Sequence, residues 1–226
     1  MNNRRSFIIG IKSTKLSAPE KKFLKIYKPW GVILFSRNIK NTKQTLELTT
    51  SIRKIFNDKR YPILIDQEGG RINRLKNIIS FDNLTSEFFG NKYITNKKEF
   101  IFYYKLFIDK TSYLLKSIGV NINTSPVLDL RVKNSSNIIG NRSFSKDPKI
   151  VSKIGNFCID SFHKNGIGTV MKHIPGHGLA KVDSHYFTPI VKKNLNYLKK
   201  KDFFPFKDKK IFFAMTAHII FDQIDN

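Results

Sequence analysis

The fold of this chain is decided by the stretch GTVMKHIPGHG at residues 168–178. Its first four residues are small or apolar, and they predict a short buried strand. Polar residues follow at once, and the Pro-Gly pair among them can continue neither a helix nor a strand. Asp183, Ser184 and His185 extend this polar cluster. Polar side chains at the end of a buried strand are typical of the functional edge of α/β proteins. The stretch therefore predicts an α/β fold with chemistry at residues 172–185.

Short apolar runs alternate with helical patterns along the whole chain. Regular alternation of this kind predicts a parallel sheet with helices outside it. The helices are marked by a capping box at Ser17-Ala18-Pro19-Glu20 and by apolar residues at helical spacing from Phe100 through Tyr103 and Tyr104 to Phe107. A closed barrel of parallel strands has about eight strands. Six strands are predicted, at residues 7–11, 31–35, 61–65, 120–128, 168–171 and 211–217.

Composition bounds the class of protein. A chain of 226 residues with 40% hydrophobic residues and no Gly/Ser/Pro linker favours a single folded domain. The one cysteine, Cys158, excludes an intrachain disulfide and a multi-cysteine zinc site, and it favours a reducing cytoplasm. The apolar run after Arg4-Arg5 is stopped by Lys12, so we interpret it as a first strand and not as an export signal. No apolar run approaches the ~18 residues that suggest a membrane span.

The formal net charge of +24 raises the possibility of a nucleic-acid partner. The excess comes mainly from lysine and is spread over every segment, which is typical of compositional drift on solvated faces. A nucleic-acid-binding function is therefore the least favoured of the hypotheses that the sequence supports.

Polar residues follow four of the predicted strands. Because the carboxyl ends of parallel barrel strands surround one axis, side chains far apart in the sequence can line one pocket. The polar residues at these strand ends are Asp66, Glu68 and Arg74, then Asp129 and Arg142, then Lys172 and His173, and finally His218.

The motifs at these positions resemble those of glycoside hydrolase family 3, and within it the bacterial β-N-acetylglucosaminidases of the NagZ type. The resemblance covers the whole chain in order. It rests on GVILFSRN at residues 31–38, IDQEGGR at 65–71, PVLDL at 126–130, GNRSF at 140–144, KHIPGHG at 172–178, DSH at 183–185 and MTAHI at 215–219.

The resemblance implies a TIM-type (β/α) barrel. Residues 1–226 are then the N-terminal barrel domain of family 3, incomplete at its C-terminus, with about six of the eight βα units present. It also implies retaining hydrolysis of terminal β-linked N-acetylglucosamine from peptidoglycan fragments, without a cofactor or metal. The partner is then a small carbohydrate, and the oligomeric state stays open. By motif position, the implied sugar-binding residues are Asp66, Arg74, Arg142, Lys172 and His173.

The resemblance assigns the general acid/base to His185, and to Asp183 the role of orienting it. A histidine titrates near neutral pH and can protonate a leaving oxygen and then activate water. The family's nucleophile is an aspartate in a later motif of the ISDD type, and no such motif occurs in these 226 residues. Asp222 and Asp225 match the loop after MTAHI and are not candidates. The alternative is therefore a truncated, catalytically impaired homologue that retains part of the sugar site.

Simpler interpretations of single motifs stay open. Asp-Ser-His alone is a weak motif, and His173, His177, Asp183 and His185 could instead bind zinc. No HExxH-type helical spacing supports zinc binding, and Pro175-Gly176 prevents one helical face from presenting His173 and His177. Two further departures from the family's pattern concern residues that support the site. Asn141 stands where the family has an aspartate, and Asn123-Thr124-Ser125 replaces a more acidic run.

Overall fold

The computed structural model describes residues 4–133, 135–182 and 186–224. Six parallel strands form one sheet whose spatial order equals their order in the chain. The predicted α/β class with six βα units is thereby confirmed. The strands are β1 Arg5–Gly10, β2 Pro29–Leu34, β3 Ile63–Ile65, β4 Ile122–Asn123, β5 Gly168–Ile174 and β6 Phe213–Thr216.

Helices connect the strands and begin at the caps that the sequence indicates. Ser17 accepts a hydrogen bond from the backbone N–H of Glu20 and completes the predicted capping box. Asp147 accepts from two backbone N–H groups at the start of the helix that opens with Pro148. The helices of the described residues are α1 Ala18–Tyr27, α2 Thr42–Phe56, α3 Ser86–Thr95, α4 Lys97–Ser117, α5 Pro148–Lys164 and α6 Leu195–Lys200.

The sheet curls, so that strands far apart in its order approach each other. The rings of Trp30 in β2 and Phe213 in β6 lie 5.1 Å apart, although these strands are not neighbours. Alternate residues point to opposite faces of the sheet. Ile63 and Ile65 therefore pack against the main core beneath the helices, whereas Leu64 packs in a smaller cluster inside the curl.

Polar residues lie on the inner face of the curled sheet, at the carboxyl ends of its strands. Leu64 and Val170 belong to the inner cluster. Asp66 and Lys172 each lie two residues further along the same segments, so the period of two places them on the same face. The strand pattern itself thus positions these two charged side chains side by side.

Several predicted boundaries were wrong. Residues 172–174 continue β5, so Lys172 and His173 lie within a strand and not in the loop after it. The strand predicted at residues 120–128 is interrupted after β4, because the backbone N–H of Ser125 bonds the carbonyl of Asn123 in the same segment and not a neighbouring strand. The chain rejoins the sheet at a bridge between Val127 and Lys172. Tyr103 was expected in the core face of α4 but is 47% exposed.

The two outer strands of the sheet are open. β1 and β6 are the first and last strands in its order, and neither has a second neighbour among the described residues. Ile8 and Phe213 on these strands are 46% and 40% exposed. In the described ranges, no helix has both the length and the apolar character needed to span a membrane.

Candidate active site

A cavity of about 250 Å³ opens at the carboxyl ends of β3, β5 and β6. All five residues to which the resemblance assigns sugar binding line it. Two larger clefts, of about 530 and 710 Å³, border residues 131–146 and lack these five residues. The polar lining residues of the cavity are Asp66, Glu68, Arg74, Arg142, Lys172, His173, His177, Thr216 and His218.

Glu68 is the buried centre of the charge network in this cavity. Its two carboxylate oxygens accept 2.8 Å hydrogen bonds from Nε and Nη2 of Arg142. The Lys172 ammonium lies 2.6 Å from Oε1 of Glu68. Burial by itself raises the pKa of Glu68, but the charges of Lys172 and Arg142 outweigh it and lower the pKa to about 2. Glu68 is therefore ionised at neutral pH, and both of its oxygens are occupied.

Asp66 is held in place by the same lysine. Its Oδ1 accepts a 2.8 Å hydrogen bond from Lys172 Nζ and a short hydrogen bond from the Thr124 hydroxyl. Arg74 lies 3.7 Å from Oδ2. Burial raises the pKa of Asp66, and Lys172 more than compensates, so the pKa is lowered overall. The Asp66 side chain keeps 15% exposure, whereas that of Glu68 keeps 3%. Asp66 is thus the carboxylate that a ligand in the cavity can reach.

His173 is oriented by a buried aspartate. Its Nδ1 lies 2.7 Å from Oδ2 of Asp129, which is fully buried. Because a carboxylate only accepts, Nδ1 carries the proton, and Nε2 is left for a ligand. Asp129 also accepts from the backbone N–H groups of His173 and His177. Burial raises the pKa of Asp129, and the neighbouring His173 outweighs it and lowers the pKa.

Glycines bring the loops of the site close together. Gly69 in the EGGR turn has φ +91°, and a Cβ there would lie 2.3 Å from the carbonyl oxygen of Leu84. Gly90 in α3 lets the carbonyl of Phe144 approach; a Cβ at this glycine would lie 1.6 Å from that oxygen. This contact fixes the position of the GNRSF segment, which carries Arg142.

Sequence reasoning placed the five strand-end residues together but missed their partners. Glu68 was named among the strand-end residues but not in the sugar-binding set, although its position in the IDQEGGR motif beside Asp66 was a usable signal. Thr124 was noted only as a departure from an acidic run. The partner of Arg142 is Glu68, which lies 74 residues earlier in the chain.

The two residues predicted to perform acid/base catalysis, Asp183 and His185, lie outside the described residues. The zinc hypothesis included the same two residues beside His173 and His177. Among the residues that the structure does describe, no group of three or more His, Cys, Asp or Glu side chains is arranged to hold a metal ion.

Fold and cavity together define a barrel-type α/β protein with a charged cavity at the carboxyl ends of its strands. The Glycosyl hydrolase family 3 N terminal domain matches residues 7–226, and the chain belongs to this family.

The relatives of this chain are longer than the chain itself. It is 31% identical over 221 residues to a Beta-hexosaminidase from Xanthomonas campestris pv. campestris, covering 96% of this chain and 65% of that protein. It is 34% identical over 206 residues to Beta-hexosaminidase A from Pseudoalteromonas piscicida, covering 87% of this chain and 34% of that protein. The crystal structure of native NagZ from Neisseria gonorrhoeae matches with a TM-score of 0.89 at 27% identity, over 98% of this chain and 65% of that one.

Proposed function

We propose that this chain carries the sugar-binding part of a β-N-acetylhexosaminidase that removes terminal β-linked N-acetylglucosamine from peptidoglycan fragments. One observation carries the proposal. Asp66 is an ionised, partly exposed carboxylate, fixed by Lys172 and Thr124 at a cavity that also presents Arg74 and His173. Several relatives are named beta-hexosaminidases, and one similar solved structure is a family 3 beta-N-acetylglucosaminidase from Paenibacillus.

The cavity residues divide into acceptors and donors. Asp66 can accept hydrogen bonds from two sugar hydroxyls, Arg74 can donate to another, and Nε2 of His173 can accept, because the proton of that ring is on Nδ1. Lys172 supports this set, because the three N–H groups of its ammonium already meet Asp66, Thr124 and Glu68. Hydrogen bonds to charged groups are worth about 1.5–3 kcal/mol, so this set can fix the orientation of one sugar ring. We assign Arg142 a supporting role in sugar binding, because Nε and Nη2 hold Glu68 and Nη1 donates to the carbonyl of Ile138.

We propose His185 as the general acid/base and Asp183 as the residue that orients it. In a retaining reaction a carboxylate attacks the anomeric carbon while the acid protonates the leaving oxygen. Water, deprotonated by the same group, then releases the sugar from the carboxylate. The described part of the cavity offers no free carboxylate for the attack, because Asp66 and Glu68 are both paired with Lys172.

This pairing favours a second candidate function, sugar binding without turnover by these 226 residues alone. The open edges of β1 and β6 leave room for the remaining strands of a closed barrel. We propose that residues 1–226 form one barrel domain, completed by further βα units that supply the nucleophile. The lone, buried Cys158 supports a cytoplasmic location.

Binding is tested by isothermal titration of N-acetylglucosamine. At about 0.3 kcal/mol per non-hydrogen atom, a monosaccharide should bind with a Kd on the order of 1 mM. Asp66→Ala should weaken binding at least about tenfold. The control Asp82→Ala changes an exposed aspartate outside the cavity and should bind like the unaltered chain. Equal affinity of the Asp66→Ala and Asp82→Ala variants would refute the assignment of this cavity.

Turnover is tested with an aryl N-acetyl-β-glucosaminide. The 226-residue chain should hydrolyse it extremely slowly or not at all. Joining it to the C-terminal segment of a relative that contains the missing aspartate should restore the rate. His185→Ala in that fusion should remove most activity on substrates with poor leaving groups. Robust hydrolysis by the chain alone, abolished by changing Asp222 or Asp225, would show that the nucleophile had been misplaced.

A further inference from the structure

Asp202 is a buried carboxyl group that the proposed reaction does not use. It follows α6 and is 2% exposed. Neither of its carboxylate oxygens has a hydrogen-bond partner among the described residues. Burying an unpaired carboxylate is costly, and native structures contain few such groups. The position of Asp202 therefore requires a physical explanation.

The neighbouring turn, residues 173–178 with the last two residues of β5 included, packs against Asp202. A Cβ at Gly176 would lie 2.7 Å from Asp202 Cβ, and a Cβ at Gly178 would lie 3.1 Å from Asp202 Oδ1. Any side chain at Gly176 would also be strained, since its φ is +142°. Two glycines thus allow the backbone of the turn to pack directly on Asp202, and Gly178 faces its carboxyl group.

The same turn carries the histidines of the cavity. The backbone N–H groups of His173 and His177 donate to Asp129, at 3.3 Å and 2.7 Å. The turn therefore lies against two carboxyl groups with opposite surroundings. Asp129 is surrounded by donors, and Asp202 has none among the described residues.

We infer that Asp202 is a positioning residue: in its protonated form it supports the turn at residues 173–178 that presents His173 to the cavity, and its ionisation loosens that turn. The inference rests on the proposed sugar site only where it concerns ligand affinity. Ionisation releases one proton to solvent and places a second negative charge near Asp129. Among the described residues, no side-chain donor bonds either carboxylate oxygen of Asp202.

The surroundings of Asp202 set the pH at which this happens. Burial, with a further contribution from the negative charge of Asp129, raises the pKa of Asp202 to about 7. The backbone N–H of Asp202 itself and the charge of Lys201 act in the opposite direction and offset this rise only in part. The turn itself contributes the imidazoles of His173 and His177. The remaining charged groups line the cleft of about 710 Å³ that Asp202 also borders, and they are Arg131, Lys133, Lys146, Asp147, Lys149 and Lys200.

The direction of the pH effect follows from the raised pKa. A folded-state pKa of about 7, against 3.8 for an ordinary aspartate, favours the protonated folded chain. This contribution to stability is fully present below about pH 4 and is lost as the pH rises through about 7. Between about pH 5.5 and about pH 8.5 the turn should become less protected, and the cavity should bind ligand less tightly.

The test compares Asp202→Asn, which imitates the protonated form, with Asp202→Ala, which removes the support. Amide hydrogen exchange across residues 173–178, corrected for intrinsic rates, is measured without ligand, and affinity for N-acetylglucosamine is measured in parallel. Asp160→Asn, an exposed acid on α5, is the matched control. The unaltered chain and the control should lose at least about fivefold in affinity and in exchange protection between the two pH values.

Asp202→Asn should show little of this pH dependence, and Asp202→Ala should be weakly protected at both pH values. An Asp202→Asn profile that follows the unaltered chain would overturn the inference, because the histidines alone would then explain the pH dependence. Full protection in Asp202→Ala would overturn it as well. If no sugar binds at either pH, the proposed function fails, and the exchange data still decide the role of Asp202.

Discussion

Replacing Glu68 by glutamine should destabilise this protein far more than an ordinary loss of one surface charge. The substitution keeps the size of the side chain but removes the charge that Arg142 and Lys172 share. The side chains of these partners are 11% and 2% exposed, so water cannot easily replace the lost carboxylate. Removing one member of a buried ion pair typically costs about 3–5 kcal/mol.

The pKa of Glu68 gives a second value for the free energy of unfolding that the Glu68→Gln substitution should remove. A shift from 4.5 to about 2 corresponds to about 3 kcal/mol of stability. The lowered pKa means that this contribution is present above about pH 4.5 and is lost as the pH falls through about 2. Both routes therefore place the cost of Glu68→Gln at neutral pH near 3 kcal/mol.

Thermal unfolding followed by circular dichroism measures the effect. For a domain of this size, about 3 kcal/mol lowers Tm by about 6–12 °C. The control is Glu99→Gln, which breaks the partly exposed ion pair with Lys92 and should cost less than about 1 kcal/mol. Combining Glu68→Gln with Arg142→Met should cost less than the sum of the two single changes, because the pair is removed together. A Glu68→Gln variant as stable as Glu99→Gln would refute the reasoning.

Three other predictions concern the supports of the site. Gly90→Ala should cost about 3 kcal/mol or more in unfolding experiments, because its Cβ would collide with the carbonyl of Phe144; a fully stable variant would contradict this packing. Asp129→Asn should cost about 2–3 kcal/mol and release the imidazole of His173, which NMR of the ring nitrogens would detect as a changed tautomer; an unchanged spectrum would contradict the assigned contact. The Cys158 thiol, whose pKa burial raises to about 11, should react with a disulfide reagent only after unfolding, and rapid labelling of the native chain would show that it is not buried.

The sequence predicted the fold well because its signals are local. A capping box needs only Ser17 and Glu20, and a buried strand needs only a short apolar run. The convergence of Asp66 and Lys172 also followed, since parallel strands place their carboxyl ends at one edge. The end of β5 was misjudged because Lys172 and His173 look like loop residues. Their polar atoms are satisfied inside the site, by Asp66, Glu68 and Asp129.

The pairing inside the cavity could not be predicted from the chain alone. Arg142 and Glu68 are separated by 74 residues, and His173 and Asp129 by 44. Which carboxylate meets which cation depends on side-chain packing, and a sequence pattern contains no information on that geometry. Asp202 escaped notice for the same reason, because in the sequence it is one more charged residue in a lysine-rich segment.

The most direct test of the proposed sugar site is a crystal structure of the chain soaked with N-acetylglucosamine. The sugar should occupy the cavity of about 250 Å³, with one of its hydroxyls within about 3 Å of an Asp66 carboxylate oxygen and another within reach of Arg74 or His173. Sugar bound only outside this cavity, with Asp66, Arg74 and His173 making no contact to it, would contradict the proposal.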